Sequence, residues 1–141
     1  MAARDLPMPQ VDGYEPEYEV IGEMCELRTS EWVQVIETLG PFGSGNPMPV
    51  ISAQDVVICK DPTEMKFNGA AEPWAWKADF TVGQKTITII WREVEKAARW
   101  RKGGHYHLEL ELTVKRFLGR TFVNWSVVRC AQVSGKGAMP G

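Results

Sequence analysis

Residues Leu39 to Val50 form the stretch that most restricts how this chain can fold, with three glycines and three prolines among twelve residues. Proline fixes its own φ angle and glycine adopts angles that other residues avoid, so this stretch specifies a rigid turn and not a flexible linker. Pro47 also biases Asn46 towards an extended backbone. Before this junction the pattern predicts a strand and a helix, and after it the pattern predicts β structure.

The composition is that of an ordinary soluble domain, with 44% hydrophobic and 24% charged residues in a chain of 141. No apolar run approaches the roughly 20 residues that span a membrane. No signal peptide opens the chain, so we expect a cytoplasmic protein. The three cysteines are far apart and lack metal-ligand spacing, which predicts buried, reduced thiols at Cys25, Cys59 and Cys130. We expect neither a metal ion nor a cofactor.

Charge is unevenly distributed along the chain, although the net charge is only −2. Residues 1–73 hold 13 acidic and 4 basic residues, whereas residues 74–141 hold 12 basic and 5 acidic residues. A basic half joined to an acidic half indicates a polyanionic partner for one face of the protein. The alternative is two solvated surfaces whose charges offset each other, and charge alone leaves both readings open.

Hydrophobic periodicity predicts the secondary structure on both sides of the junction. A strand over residues 18–27, broken at Gly22, precedes an amphipathic helix capped by Thr29 or Ser30 and ended by Gly40-Pro41. Gly83-Gln84 is typical of a type II′ hairpin turn. The elements after the junction are strands over 50–60, 74–82 and 87–91, a helix over 93–102, a strand over 106–114, a turn over 115–119 and a strand over 121–130.

A single helix between the third and fourth of five strands is the element order of the OB fold. We therefore predict a mainly β protein, a five-stranded OB-fold barrel with one helix between strands 3 and 4, preceded by a short strand-helix extension. The predicted boundaries are a flexible N-terminal tail over 1–16, the extension and junction over 17–47, the barrel over 48–133 and a flexible C-terminal tail over 134–141.

The junction resembles a motif of the RecJ family of single-strand-specific exonucleases. Its sequence Pro41-Phe42-Gly43-Ser44-Gly45-Asn46-Pro47-Met48-Pro49 is similar to the family's Pro-Phe-Gly-x-Gly-Asn-Pro-x-Pro. Weaker similarity follows at Ile89-Ile90-Trp91, Gly103 to Leu110 and Phe117-Leu118-Gly119-Arg120. The resemblance covers about residues 17–133 and implies the C-terminal OB domain of that family.

RecJ enzymes carry Asp-His-His metal motifs in a separate catalytic domain, and this sequence contains no such run. The resemblance therefore implies the OB module without the nuclease, and we expect the chain not to be an enzyme. We expect a free-standing module, although a fragment of a larger nuclease stays open. Phage genomes often keep reduced modules of this kind, so a phage origin is an expectation by analogy.

Basic and aromatic residues of the β domain are the candidate contacts to single-stranded DNA, since Lys and Arg side chains neutralise phosphates and aromatic rings stack on nucleobases. The turn over 115–120 interleaves three bases with Phe117, at a loop position that OB folds use for nucleic acid. A solvated hairpin tip is the alternative. The complete candidate set is Gly43, Ser44, Gly45, Asn46, Lys77, Lys85, Trp91, Arg92, Lys115, Arg116, Phe117, Arg120 and Trp125.

Several of these candidates have an equally simple structural interpretation. Consecutive N–H groups of Gly43-Ser44-Gly45 could hold a phosphate, but the loop also serves as a tight connector between helix and barrel. Each aromatic is a candidate for the core. Strand alternation predicts that Trp74, Trp76, Phe80, Ile87 and Ile89 face the core. His105 and His107 share one solvent or ligand face, and two histidines do not make a metal site.

The sequence thus favours a non-catalytic single-stranded DNA-binding protein of DNA replication, recombination or repair, with DNA favoured over RNA as its partner. The alternative is a protein-interaction module whose acidic half binds or inhibits a replication or repair protein or a nuclease. Assembly into a homo-oligomer stays open, and no membrane partner is expected.

Overall fold

Strands dominate the computed structural model, which describes residues 17–40 and 47–133. This agrees with the mainly β class predicted from the alternating apolar residues. The elements are β1 (Tyr18–Glu23), a 3-10 helix (Met24–Glu26), α1 (Thr29–Leu39), β2 (Met48–Ile58), β3 (Thr63–Met65), β4 (Ala75–Val82), β5 (Lys85–Trp91), α2 (Val94–Ala97), β6 (His105–Phe117) and β7 (Arg120–Gln132).

Five strands pair in a closed ring. The sheet runs in the order β1-β2-β6-β7-β5-β4-β3, and an additional pairing of β2 with β4 joins its two sides. Within the ring β5 and β7 are parallel and the other pairs are antiparallel. Helix α2 lies between the third and fourth ring strands in chain order, as predicted. The architecture is OB-like, with β1 and β3 added at the edges of the sheet.

The ring interior is the hydrophobic core. Phe80 and Ile89 are fully buried, as the alternation predicted, and Trp76 and Ile87 pack against the same cluster. Trp100 comes from the segment after α2, and its ring meets Phe80 edge-on at 5.2 Å between centroids. Large aromatic side chains therefore fill the centre of a small domain.

Helix α2 is shorter than the predicted helix over 93–102 and ends at Ala97. Beyond it the amides of Arg99 and Trp100 donate to carbonyls three residues back, a tighter pattern than that of an α-helix. This tightening accompanies the burial of Trp100, which is 2% exposed. The helical periodicity of the sequence did not show that a core tryptophan would end the helix.

Strand β1 and helix α1 correspond to the strand and helix of the predicted extension, and β1 pairs in parallel with the ring strand β2. The predicted strand over 18–27 is wrong after Glu23, where a 3-10 helix begins. The cap of α1 is Arg28 and not Thr29 or Ser30. The Arg28 N–H donates to the Glu31 carboxylate at 2.8 Å, which lowers the pKa of Glu31.

Two hairpins have two-residue turns. Gly83 has φ +64°, the left-handed value that the predicted type II′ turn needs at its first position. The second turn is Leu118-Gly119, and both residues have positive φ, as in a type I′ turn. Because this turn matches the strand twist, pairing continues to Phe117 and Arg120. The predicted turn over 115–119 is therefore too long, and Lys115, Arg116 and Phe117 lie on β6.

Candidate nucleic-acid interface

One face of β4, β5 and β7 points away from the core. Since Ala78, Phe80, Ile89 and Trp125 are buried, their neighbours along each strand point outward. Strand register sets these outward residues side by side. This outer face consists of Lys77, Asp79 and Thr81 on β4, Thr86, Thr88 and Ile90 on β5, and Asn124 on β7, whereas Ser126 is buried beside Ile90.

Hydroxyl groups and a lysine make most of the outer face polar without strong negative charge. The acid among its residues, Asp79, accepts a hydrogen bond from the Thr88 hydroxyl at 2.6 Å. Its other carboxylate oxygen lies 3.6 Å from Nζ of Lys60. Lys60 and Lys77 therefore offset the charge of Asp79. Glu111 on β6 adds a second carboxylate beside this face, because it is paired with Ser126.

An aromatic and basic cluster lies at one end of the outer face, where β4 begins and β5 ends. The rings of Phe67 and Trp74 stack, with centroids 5.7 Å apart and planes inclined by 21°. Cζ of Arg92 lies 5.9 Å from the centroid of the Trp74 ring. Phe67 is 69% exposed, so its ring is accessible to a ligand. We call Phe67, Trp74 and Arg92 the loop cluster.

The loop cluster changes two sequence interpretations. Trp74 was predicted to face the core, and this is wrong because it precedes the first residue of β4 and pairs with Phe67 at the surface. Phe67 was not a candidate at all. An isolated aromatic in the otherwise polar loop over 61–73 was the available signal, since such a loop offers little core for it to enter.

A second aromatic and basic cluster lies at the other end, on the β6–β7 hairpin. Phe117 is paired with Arg120 and Lys115 with Phe122, so the four side chains share one face. Phe117 and Phe122 are 65% and 47% exposed. Phe122 follows the same alternation as Asn124 and Ser126, which makes this face a continuation of the outer face. We call these four residues the hairpin cluster.

The register of β5 with β7 fixes the spacing of the two clusters. Ile89 is level with Trp125 and Ile90 with Ser126, so Phe122, three residues before Trp125, lies towards the Thr86 end of β5. From Arg92 to Thr86 the strand covers about 20 Å at about 3.3 Å per residue. The outer face therefore connects the loop cluster with the hairpin cluster along one strand length, which suits an extended ligand.

The other predicted contacts fall in different places. Lys85 is exposed at the β4–β5 turn. Arg116 points to the opposite face of the hairpin, where its guanidinium donates to the carboxylate of Glu37 on α1 and to the Thr121 hydroxyl. Gly43, Ser44, Gly45 and Asn46 lie outside the described residues.

Trp91 and Trp125 lie in the core and not on the surface. They are 7% and 4% exposed, and the ring of Trp91 lies 5.2 Å from that of Trp100. Both belong to strand positions that alternate inward with Ile89 and Val127. The core interpretation that the sequence left open is therefore the observed one, and neither ring can stack on a base in this conformation.

His105 and His107 have a structural role. The Nδ1 atom of His105 lies 2.7 Å from the carboxylate of Asp55, and the Asp55 N–H donates to Nδ1 of His107 at 2.9 Å. Asp55 has φ +54° in a bulge of β2, so the two side chains support an unusual backbone angle. Across residues 17–40 and 47–133, three His, Cys, Asp or Glu side chains nowhere converge to hold a metal ion.

The thiol of Cys130 is held in its protonated form. Burial raises its pKa to about 11, so little thiolate forms near neutral pH. Cys59 is half-buried and donates to the Asp79 carbonyl at 3.4 Å, whereas Cys25 is exposed. The prediction that all three thiols are buried is therefore wrong for Cys25.

Comparison with known proteins gives one family. The sequence model of the RecJ OB domain matches residues 24–129, which is most of the chain. A search of curated proteins gives no match. None of the helices in the described ranges is long and apolar enough to cross a membrane.

Proposed function

The chain belongs to the RecJ OB-domain family, and we propose that it binds single-stranded DNA along the outer face, between the loop cluster and the hairpin cluster. One observation carries this proposal: exposed aromatic rings flanked by bases occur at both ends of one polar sheet face. In known OB domains the corresponding strands and loops bind oligonucleotides, which supports the assignment.

The proposed mechanism combines stacking with phosphate neutralisation. Phe67 and Trp74 at one end, and Phe117 and Phe122 at the other, each offer a ring to a base, and such stacking contributes about 1–3 kcal/mol per base. Lys77 and the basic side chains of both clusters neutralise the phosphates that lie between the clusters. Every base has an apolar face, so binding of this kind has little sequence preference.

Salt dependence tests the electrostatic part of the proposal. Lys77→Ala should weaken binding of a labelled single strand and make the salt slope about 0.7 units shallower. Lys96→Ala is the matched control, because Lys96 lies on α2 and pairs with Glu93 at 3.0 Å. Fluorescence anisotropy with single-stranded and duplex oligonucleotides at two salt concentrations measures both effects. An absence of salt-sensitive binding to single strands at micromolar protein would disprove the proposal.

We also propose a role in replication, recombination or repair without catalysis by this chain, with DNA preferred to RNA. Parallel titrations with DNA and RNA of one sequence test that preference. A nuclease assay with divalent metal ions tests the absence of catalysis, and cleavage by the purified chain would contradict it.

A second candidate function is docking to a replication or repair protein. Its support is the clustering of acidic residues in the extension: residues 17–40 contain six acids and one base. These acids precede the basic ring strands in the sequence, and one of them, Glu37, pairs with Arg116 on β6. A pull-down before and after nuclease treatment separates the two functions, since a protein partner held by the extension survives loss of the nucleic acid.

A further inference from the structure

The β6–β7 hairpin extends beyond the ring as a two-stranded arm. Pairing of β6 with β2 ends at Leu110, and pairing of β7 with β5 involves Trp125 and Ser126, whereas β6 and β7 stay paired to Phe117 and Arg120. From Leu112 to Phe117 the arm adds about 17 Å at about 3.4 Å per residue. One side of the arm meets α1 through Arg116 and Glu37, and the side that carries the hairpin cluster exposes Phe117 and Phe122.

The tip of this arm carries an apolar residue in a backbone conformation that disfavours it. Leu118 has φ +52°, although positive φ at both turn positions suits Asn or Gly much better. Its side chain is 84% exposed, so burial within the chain does not compensate for the strain. A strained, exposed leucine next to the exposed Phe117 points to a ligand that covers the tip.

The charge around the tip indicates which ligand this is. Lys115 and Arg120 flank the apolar residues and are both exposed. Leucine has no aromatic ring and no hydrogen-bonding group, so its contribution is apolar contact alone. The exposed face of a terminal base pair is a flat apolar surface bordered by phosphates, and proteins place Phe or Leu against base steps in this way.

We propose that the arm tip, Phe117 and Leu118, packs against the end of a duplex whose single-stranded tail lies on the outer face. The ligand class is therefore a junction between single-stranded and double-stranded DNA. This inference rests on the proposed function, because the tail must be held on the outer face. The arm then positions the tip about one strand length beyond the loop cluster, at the place where the tail would join the duplex.

Leu118→Asn is the variant that tests this assignment. Asn-Gly is the preferred pair for a type I′ turn, so the arm keeps its shape while its apolar tip is lost. The matched control is Val20→Asn, which removes an apolar side chain of 49% exposure from β1. The probes are a single strand of about 12 nucleotides, within the site sizes of one OB fold, the same strand as a 5′ or 3′ tail on a duplex, and the duplex alone.

Wild type should bind one of the tailed duplexes about tenfold more tightly than the isolated strand, a difference that one apolar contact can supply. Leu118→Asn should reduce this preference to about twofold or less, with unchanged affinity for the isolated strand. Val20→Asn should behave as wild type. A 2-aminopurine in the terminal base pair should report a fluorescence change with wild type and not with Leu118→Asn.

Equal affinity of wild type for tail and tailed duplex would overturn the inference and leave the proposed function intact. The same holds if Leu118→Asn keeps the full preference for the tailed duplex. If the wild-type protein did not bind single strands at all, the proposed function itself would be overturned. The two failures are therefore distinguishable in one set of titrations.

Discussion

At the scale of the residue, Leu118 is a position where the wild-type side chain lowers the stability of the folded state. A left-handed backbone angle costs most residues about 1–2 kcal/mol, and asparagine tolerates it better. Leu118→Asn should therefore raise the free energy of unfolding by about 1 kcal/mol. Urea denaturation measures this change.

Gly119→Ala is the contrasting variant for the same turn. Gly119 has φ +77°, so alanine there should destabilise the protein by about 1 kcal/mol. If Leu118→Asn lowered the free energy of unfolding, the leucine would be making contacts within the chain, and the case for an external ligand at the tip would weaken.

The cysteines provide a second prediction at this scale. With a pKa raised to about 11, Cys130 should react with iodoacetamide at pH 8 about 100-fold more slowly than an ordinary thiol. The exposed Cys25 should react first, and in urea all three should react alike. Mass spectrometry of the labelled protein checks the order, and rapid labelling of native Cys130 would contradict the buried placement.

The same burial has a consequence for stability at alkaline pH. Between the ordinary thiol value of 9.0 and about 11, the folded state keeps a proton on Cys130 that the unfolded state has lost. The free energy of unfolding should therefore fall as pH rises through this window. A Cys130→Ala variant should lose that part of the pH dependence.

At the scale of the element, the contact between β1 and α1 depends on a glycine, Gly22, which has no side chain to collide with α1. A Cβ atom on Gly22 would lie 2.7 Å from Cη2 of Trp32. Trp32 cannot retreat easily, because it is 3% exposed and its Nε1 donates to the Met24 carbonyl at 3.1 Å. Gly22→Ala should therefore destabilise the protein by about 1–3 kcal/mol.

Gln34→Ala provides the control for this contact, since Gln34 lies on the exposed side of α1 and should change stability by less than about 0.5 kcal/mol. Thermal unfolding of both variants tests the packing. If Gly22→Ala were as stable as the wild-type protein, α1 would not pack against β1 as described.

Strands were the elements that the sequence predicted best, because period-2 alternation depends on which face is buried. Residues 76–82 and 106–112 show this, since one side chain in two enters the core along each segment. Helix ends were predicted less well. Trp100 shortens α2 by entering the core, and this depends on tertiary packing that a local pattern does not contain.

At the scale of the whole molecule, the candidate site depends on register between distant strands. The bases at Lys77, Arg92, Lys115 and Arg120 were recognisable from their residue types. That Lys77, Lys115 and Arg120 lie on one side of the sheet with Phe122, with Phe67 and Arg92 at its end, was not, because it requires the pairing of β5 with β7 across the ring. The same pairing moves Trp91 and Trp125 out of the candidate set by burying them.

We propose that one single strand spans both clusters, and a series of oligonucleotide lengths tests this most directly. The affinity of the wild-type protein should rise steeply once an oligonucleotide is long enough to span the distance of about 20 Å between the two clusters. It should then level off. Phe67→Ala and Phe122→Ala should each weaken binding of the longer strands by about 1–3 kcal/mol and leave the shortest strands less affected. If both variants bound oligonucleotides of every length as tightly as the wild-type protein does, this proposal would be contradicted.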